Sequence, residues 1–124
     1  HVTAYKIIPD ESVAVEKELK YLADQDRCDL IMTTGGTGFA VRDVTPEATK
    51  NVIHKEVPGL PEAMRMETIK FTKMAILSRA VAGIRGKTLI VNFPGNPKAI
   101  QQCFAVIEAV LPHALQLLRG NTEH

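Results

Sequence analysis

The run Leu30-Ile31-Met32-Thr33-Thr34 passes without a break into Gly35-Gly36-Thr37-Gly38, and this junction constrains the fold more than any other stretch. A short apolar run of this kind is what a parallel sheet buries on both faces. A glycine-rich loop directly after it lets backbone N–H groups approach an anion with no Cβ in the way. Downstream, Thr45-Pro46 reads as a hydroxyl N-cap followed by proline at the first helical position. The stretch therefore predicts strand, loop and helix, with the loop at the carboxyl end of a strand, where open α/β sheets bind ligands. Two named phosphate motifs are excluded. GxGxxG would need a glycine where Val41 stands, and no GxxxxGK[ST] sequence occurs.

The flanking sequence fits the same architecture. Residues 2–8 are rich in β-branched and aromatic side chains and end at Pro9-Asp10, which predicts a strand. Ser12 is placed to cap a helix carrying Val15, Leu19, Leu22 and Ala23 on one face. The helix announced by Thr45 is expected to reach about Lys55. A second, opened by Pro61 and running to about Lys73, is expected to carry Met64, Ile69 and Phe71 with weaker periodicity. Residues 80–84 and 88–93 flank Arg85-Gly86-Lys87 with hairpin spacing. Asn96-Pro97 repeats the cap-plus-proline device ahead of a long helix with Ile100, Phe104, Ile107 and Leu111, bent at Pro112 and ending near Gly120. This order predicts an α/β fold: a three-layer α/β/α domain with a mixed, mostly parallel sheet.

Composition narrows the function classes. A chain of 124 residues fits one domain, here residues 1–124, because two cores rarely form below about 150 residues. Fifteen basic against fourteen acidic side chains give a formal +1, so charge argues for neither nucleic acid nor an anionic membrane as partner. No apolar run approaches a membrane span, and no signal-peptide pattern is visible. Cys28 and Cys103 lack disulfide-framework or zinc spacing, which favours a reducing compartment. The expectation is a soluble, cytoplasmic domain. His1, His54, His113 and His124 are expected to be solvated, Met64, Met66 and Met74 to fill core, and Cys103 to be buried.

Several residues could carry chemistry, each with a plainer reading beside it. Asp43, between the glycine loop and Thr45, suits a Mg²⁺ ligand or a group that orients a nucleophile, or equally a helix-dipole charge or a partner for Arg42. Asp10 closes the first predicted strand and could reach the same edge, or simply cap a turn. Ser78-Arg79 offers a hydroxyl and a guanidinium to a phosphate or carbonyl, or forms an exposed turn. Asn92, Pro94, Gly95 and Asn96 form a second strand-to-helix loop, where capping and anion binding are both expected of Asn96.

Taken together, residues 33–38 and Arg42-Asp43-Val44-Thr45-Pro46-Glu47-Ala48-Thr49 closely resemble the molybdopterin adenylyltransferases of the molybdenum cofactor family, namely the bacterial Mog-type enzymes and the G domains of gephyrin and its plant counterpart. Ile8-Pro9-Asp10-Glu11, Ile76-Leu77-Ser78-Arg79, and residues 83–88 continuing to Asn92-Phe93-Pro94-Gly95-Asn96-Pro97 agree in order and spacing. The resemblance implies a homotrimeric enzyme that uses ATP and Mg²⁺ to adenylylate molybdopterin, releasing pyrophosphate, and that works with a molybdenum-insertion partner protein. It assigns Asp10 and Asp43 as catalytic, metal-binding aspartates. Gly35, Gly36, Thr37, Gly38, Ser78, Asn92, Pro94, Gly95 and Asn96 become substrate-binding positions. Family members carry a further segment ahead of this point, including a strand that ends in a Ser-Asp pair, so the chain is expected to be N-terminally short. A non-catalytic pterin-binding or scaffold module of the same fold, B-type or gephyrin-like, is the alternative.

Overall fold

The computed structural model describes residue 2 and residues 4–120. Thr3 of the first predicted strand, and the predicted solvated residues His1 and His124, lie outside the described residues.

Four strands form one sheet in the order β1-β4-β3-β2: β1 is Leu30–Thr34, β2 Lys55–Glu56, β3 Ala82–Arg85 and β4 Thr88–Phe93. β1 runs parallel to β4, with Thr34 opposite Phe93, while β3 pairs antiparallel with both β4 and β2. The mixed α/β sheet is as expected, but among the described strands it is not mostly parallel. The two-residue turn Gly86-Lys87 between β3 and β4 leaves only the antiparallel arrangement, since parallel neighbours need a long crossover.

Alternation along β4 builds two cores. Leu89, Val91 and Phe93 face one side, with Met64, Cys103, Ile107 and Leu111. Ile90 faces the other, with Ile31, Leu19, Ala23 and Val52. Helices α1 (Ser12–Asp24) and α2 (Thr45–Val52) cover the second face, and α3 (Gly59–Thr68), α4 (Pro97–Ile107) and α5 (Leu111–Leu118) cover the first. The three layers follow. A 3₁₀ turn over Lys73–Leu77 links α3 to β3, and another over Glu108–Val110 makes the break ahead of Pro112 between α4 and α5. No helix among the described residues is long and apolar enough to cross a membrane.

Several local expectations are corrected. Residues 2 and 4–9 form no strand, and Tyr5 and Ile7 stand 79% and 89% exposed. A β-rich segment becomes a strand only where a neighbour offers its ladder, and the described partner of β1 is β4 alone. The segment instead lies on α1, with the Lys6 ammonium 2.6 Å from Glu18 and over the Tyr21 ring. Among the described strands β1 lies at the edge of the sheet, and it is not buried on both faces: Met32 is half exposed. Ser12 is the first residue of α1 rather than its cap, and its hydroxyl donates to Glu16. The helix predicted to reach Lys55 ends at Val52, since Lys55 and Glu56 are drawn into β2. The α3 helix starts earlier and stops at Thr68, short of Ile69 and Phe71, and Met66 and Met74 are exposed rather than in the core. Met64 and Cys103 are buried as expected, and burial pushes the Cys103 thiol up.

Candidate functional site

The loops that leave the carboxyl ends of β1 and β4 meet. Gly35 N–H donates to Phe93 O at 2.9 Å, and a Cβ on Gly95 would stand 3.3 Å from the Gly35 Cα, so the two backbones pass close together and a side chain on Gly95 would be tight. Gly36 follows at φ +71°, and a Cβ there would collide with the Thr45 hydroxyl. This position admits glycine on both grounds. Thr45 N–H donates to Gly36 O at 3.2 Å and ties the loop to the start of α2. Thr45 is thus the first helical residue, not a cap: Val44 occupies the cap position and makes no side-chain bond.

The donors at this edge decide where an anion could sit. Asn96 caps α4 as expected, its Oδ1 accepting from Lys98 N–H at 2.9 Å and Ala99 N–H at 3.2 Å, and Pro97 has no N–H. Those helix-start donors are occupied, so an anion there would have to displace the cap. Among the described residues, by contrast, nothing accepts from the N–H groups of Gly36, Thr37 or Gly38. The loop itself, rather than a helix end, is the open set of donors.

Around it the predicted residues fall unequally. Asp43 is half-buried beside the loop; its Oδ2 accepts from Ala40 N–H at 2.9 Å, and no described residue donates to Oδ1. The alternative pairing with Arg42 does not form: Arg42 is exposed, with no ion pair to Asp43. Asp10 is exposed ahead of α1, and no described bond joins it to the loop. Among the described residues no group of three or more His, Cys, Asp or Glu could hold a metal ion.

Ser78 is half-buried. Its Oγ accepts from Ala80 N–H at 3.3 Å, and it lines a groove with Pro46, Lys50 and Arg65. Pro94 is half-buried on the second loop. Asn92 is completely buried: its Oδ1 accepts from Val81 N–H, and its amide nitrogen donates to the hydroxyls of Thr33 and Thr49 at 2.9 and 3.0 Å. Asn92 therefore locks β1, β4 and α2 beneath the two loops and presents no side-chain atom to solvent.

Arg79 behaves unlike either expectation for it. Its guanidinium is turned onto the glycine loop and α2, with the side chain 33% exposed. It donates from Nε to Gly38 O at 2.8 Å, from Nη2 to Asp43 O at 2.7 Å, and from Nη1 to Glu47 at 2.5 Å. That bond to Arg79 holds the Glu47 carboxyl below its usual range. The sequence reading missed Glu47, which lies far along the chain from Arg79 and has no local signature.

A family described as "Probable molybdopterin binding domain" matches residues 1–113. A protein named molybdopterin adenylyltransferase from Helicobacter pylori strain J99 is 50% identical over 117 residues, covering 94% of this chain and 66% of its own length. The Drosophila melanogaster molybdenum cofactor synthesis protein cinnamon is 50% identical over 112 residues, 90% of this chain and 19% of its own. The chain thus spans just under two thirds of the bacterial relatives it matches. Among solved structures, the molybdopterin biosynthesis enzyme MoaB from Thermus thermophilus superposes with a TM-score of 0.91 at 51% identity, covering 97% of this chain and 76% of that one.

Proposed function

This chain belongs to the molybdopterin-binding domain family, and on that premise we propose that it is the site-bearing part of a molybdopterin adenylyltransferase. The reaction joins AMP from ATP to the terminal phosphate of molybdopterin: a phosphate oxygen of the pterin attacks the α-phosphorus, and pyrophosphate leaves. The reading is supported by relatives named for this activity at 49–50% identity. The observation that carries it is the row of uncommitted backbone donors at Gly36, Thr37 and Gly38, next to a half-buried carboxylate with one uncommitted oxygen.

In this proposal the loop N–H groups hold phosphate oxygens and neutralise the charge that builds on them during transfer. Gly35 and Gly95 keep the two loops close enough for both substrates to share one edge, with Pro94 and Asn96 shaping the second loop. Ser78 offers its hydroxyl from the adjoining groove, and Asn92 supports from below. Asp43 and Asp10 are the catalytic carboxylates. Mg²⁺ fits this donor set through the Oδ1 of Asp43, because that ion is bound by one or two carboxylates plus substrate phosphates and needs no larger protein cluster. When bound, it would supply positive charge beside the triphosphate. A cytoplasmic location, a homotrimer and a molybdenum-insertion partner belong to the same proposal, as does a single domain over residues 1–124.

A non-catalytic pterin-binding module is the second reading. It is favoured by one observation: no described contact links Asp10 to the loop and Asp43. A coupled assay for pyrophosphate release, with ATP, Mg²⁺ and molybdopterin present or absent, separates the two. Release that depends on molybdopterin supports the transferase. Tight pterin binding without any release supports the module.

A further inference from the structure

Arg79 makes contacts from Thr37 to Glu47 by itself. Its backbone N–H donates to Thr37 O at 3.0 Å, its side chain takes the carbonyls of Gly38 and Asp43, and Glu47 on α2 receives the end of the fork. Nearly all of the guanidinium N–H donors are thereby committed to protein acceptors. A guanidinium in that state is poorly placed to clasp a substrate phosphate. It is well placed to keep a loop in one shape. Apart from Arg79, the loop is held at its ends by Gly35 N–H to Phe93 O and Thr45 N–H to Gly36 O. Within it, Ala40 and Asp43 bond to each other.

We propose that Arg79 is a positioning residue: gripping the carbonyls of Gly38 and Asp43, and aimed by Glu47, it holds the glycine loop in the shape that leaves the Gly36, Thr37 and Gly38 N–H groups available to a phosphate. Its grip is on backbone oxygens, so the aim depends on the planar fork and not on charge alone. Lysine, a single point charge, cannot span the two carbonyls and Glu47 at once. The same grip fixes the backbone of Asp43, and with it the direction in which that carboxylate is presented.

The test uses the full chain as wild type, Arg79→Lys and Glu47→Gln, with three readouts: hydrogen exchange of amides 36–44, calorimetric affinity for molybdopterin, and kcat and KM for pyrophosphate release. Positioning predicts that both variants speed exchange at least tenfold at the bonded loop amides, Ala40 and Asp43, while β4 amides stay protected. It also predicts that both weaken pterin affinity about tenfold. If Arg79 instead contacts the phosphate directly, Arg79→Lys retains most of the affinity and Glu47→Gln, which frees the guanidinium, binds as well as wild type or tighter. That result, or unchanged loop exchange in both variants, overturns the proposal. The inference rests on the adenylylation reading only for the choice of ligand. A wild-type chain that neither binds molybdopterin nor releases pyrophosphate sinks that reading, while the exchange data still decide the role of Arg79. Glu47→Gln alters an exposed side chain, so it reports even where an Arg79 variant misfolds.

Discussion

The two ends of the sheet are each held by an arginine, and they hold different things. At the carboxyl end of β1, Arg79 grips two loop carbonyls and one glutamate. At the opposite end, beside the β3–β4 turn, Arg85 pairs with both oxygens of Asp24 at 3.0 and 2.8 Å and donates to Val52 O at 2.8 Å, so the ends of α1 and α2 are tied to the hairpin. His54, exposed as expected, completes that end by accepting from Gly86 N–H. Glycines sharpen the contrast. Gly36 and Gly86 both have positive φ, but a side chain at Gly36 meets Thr45, whereas Gly86 has nothing within 4 Å. One end is crowded around a loop with unused donors. The other is open, with Arg85 and His54 spent on contacts that join the helices to the hairpin.

The largest effect is expected from Gly36→Val. Strain at positive φ, of order 1–3 kcal/mol, adds to the clash with Thr45, and pterin affinity should drop by about 10²-fold or more. Normal affinity in a folded variant, measured by calorimetry, would show that the crowded end is not the cradle. Asp43→Asn comes next. It keeps an oxygen for Ala40 N–H but loses the charge, so adenylylation should slow by about 10²-fold, roughly 3 kcal/mol, with pterin affinity within a few-fold of wild type. Single-turnover kinetics beside a melting curve will tell this apart from a purely structural role, for which turnover stays normal and only stability falls.

Arg85→Ala should lower the melting temperature by a few degrees, roughly the loss of an ion pair and a carbonyl bond, and leave turnover per folded molecule unchanged. A selective loss of activity would erase the distinction between the ends. Acid should weaken both. The carboxyls of Glu47 and Asp24 are each held below their ordinary range, first by the hydrogen bond from Arg79 or Arg85. Their stabilisation is complete above the unfolded-state pKa and is lost as pH falls through the lower folded value. Denaturation midpoints followed downward from neutral pH should therefore decline only in the acid range, and less steeply in Glu47→Gln. The smallest effect belongs to Gly86→Asn. Asparagine tolerates positive φ and meets open space, so the cost should stay below about 1 kcal/mol by chemical denaturation.

Most of what the chain declares locally is present in the structure. The hairpin follows from two β-rich runs around Gly86, and the α4 cap from Asn96-Pro97, because each needs only neighbours in sequence. The glycine loop after β1 was legible for the same reason. Residues 2 and 4–8 were misread because a strand takes its hydrogen bonds from elsewhere, and none of the described strands offers its ladder to them. Thr45 was misread by one position because the acceptor for its N–H is Gly36 O, supplied by the loop's own path. Nothing near Arg79 in sequence announces its partners, which precede it by 32 to 41 residues. The family resemblance pointed to the edge; which donors are free there, and what holds them free, emerges only from three-dimensional contacts.

The way Arg79 holds its loop also bears on how such a site can diversify. Every amino acid carries a backbone carbonyl, so a grip on Gly38 O and Asp43 O is indifferent to the side chains borne between them. Phe39 and Val41, 72% and 101% exposed at the tip of that loop, are thus free to drift among related proteins without unfastening what lies beneath. On that proposal the tip would act as an exchangeable cassette on a fixed mount, its rim replaceable while the loop beneath keeps its shape.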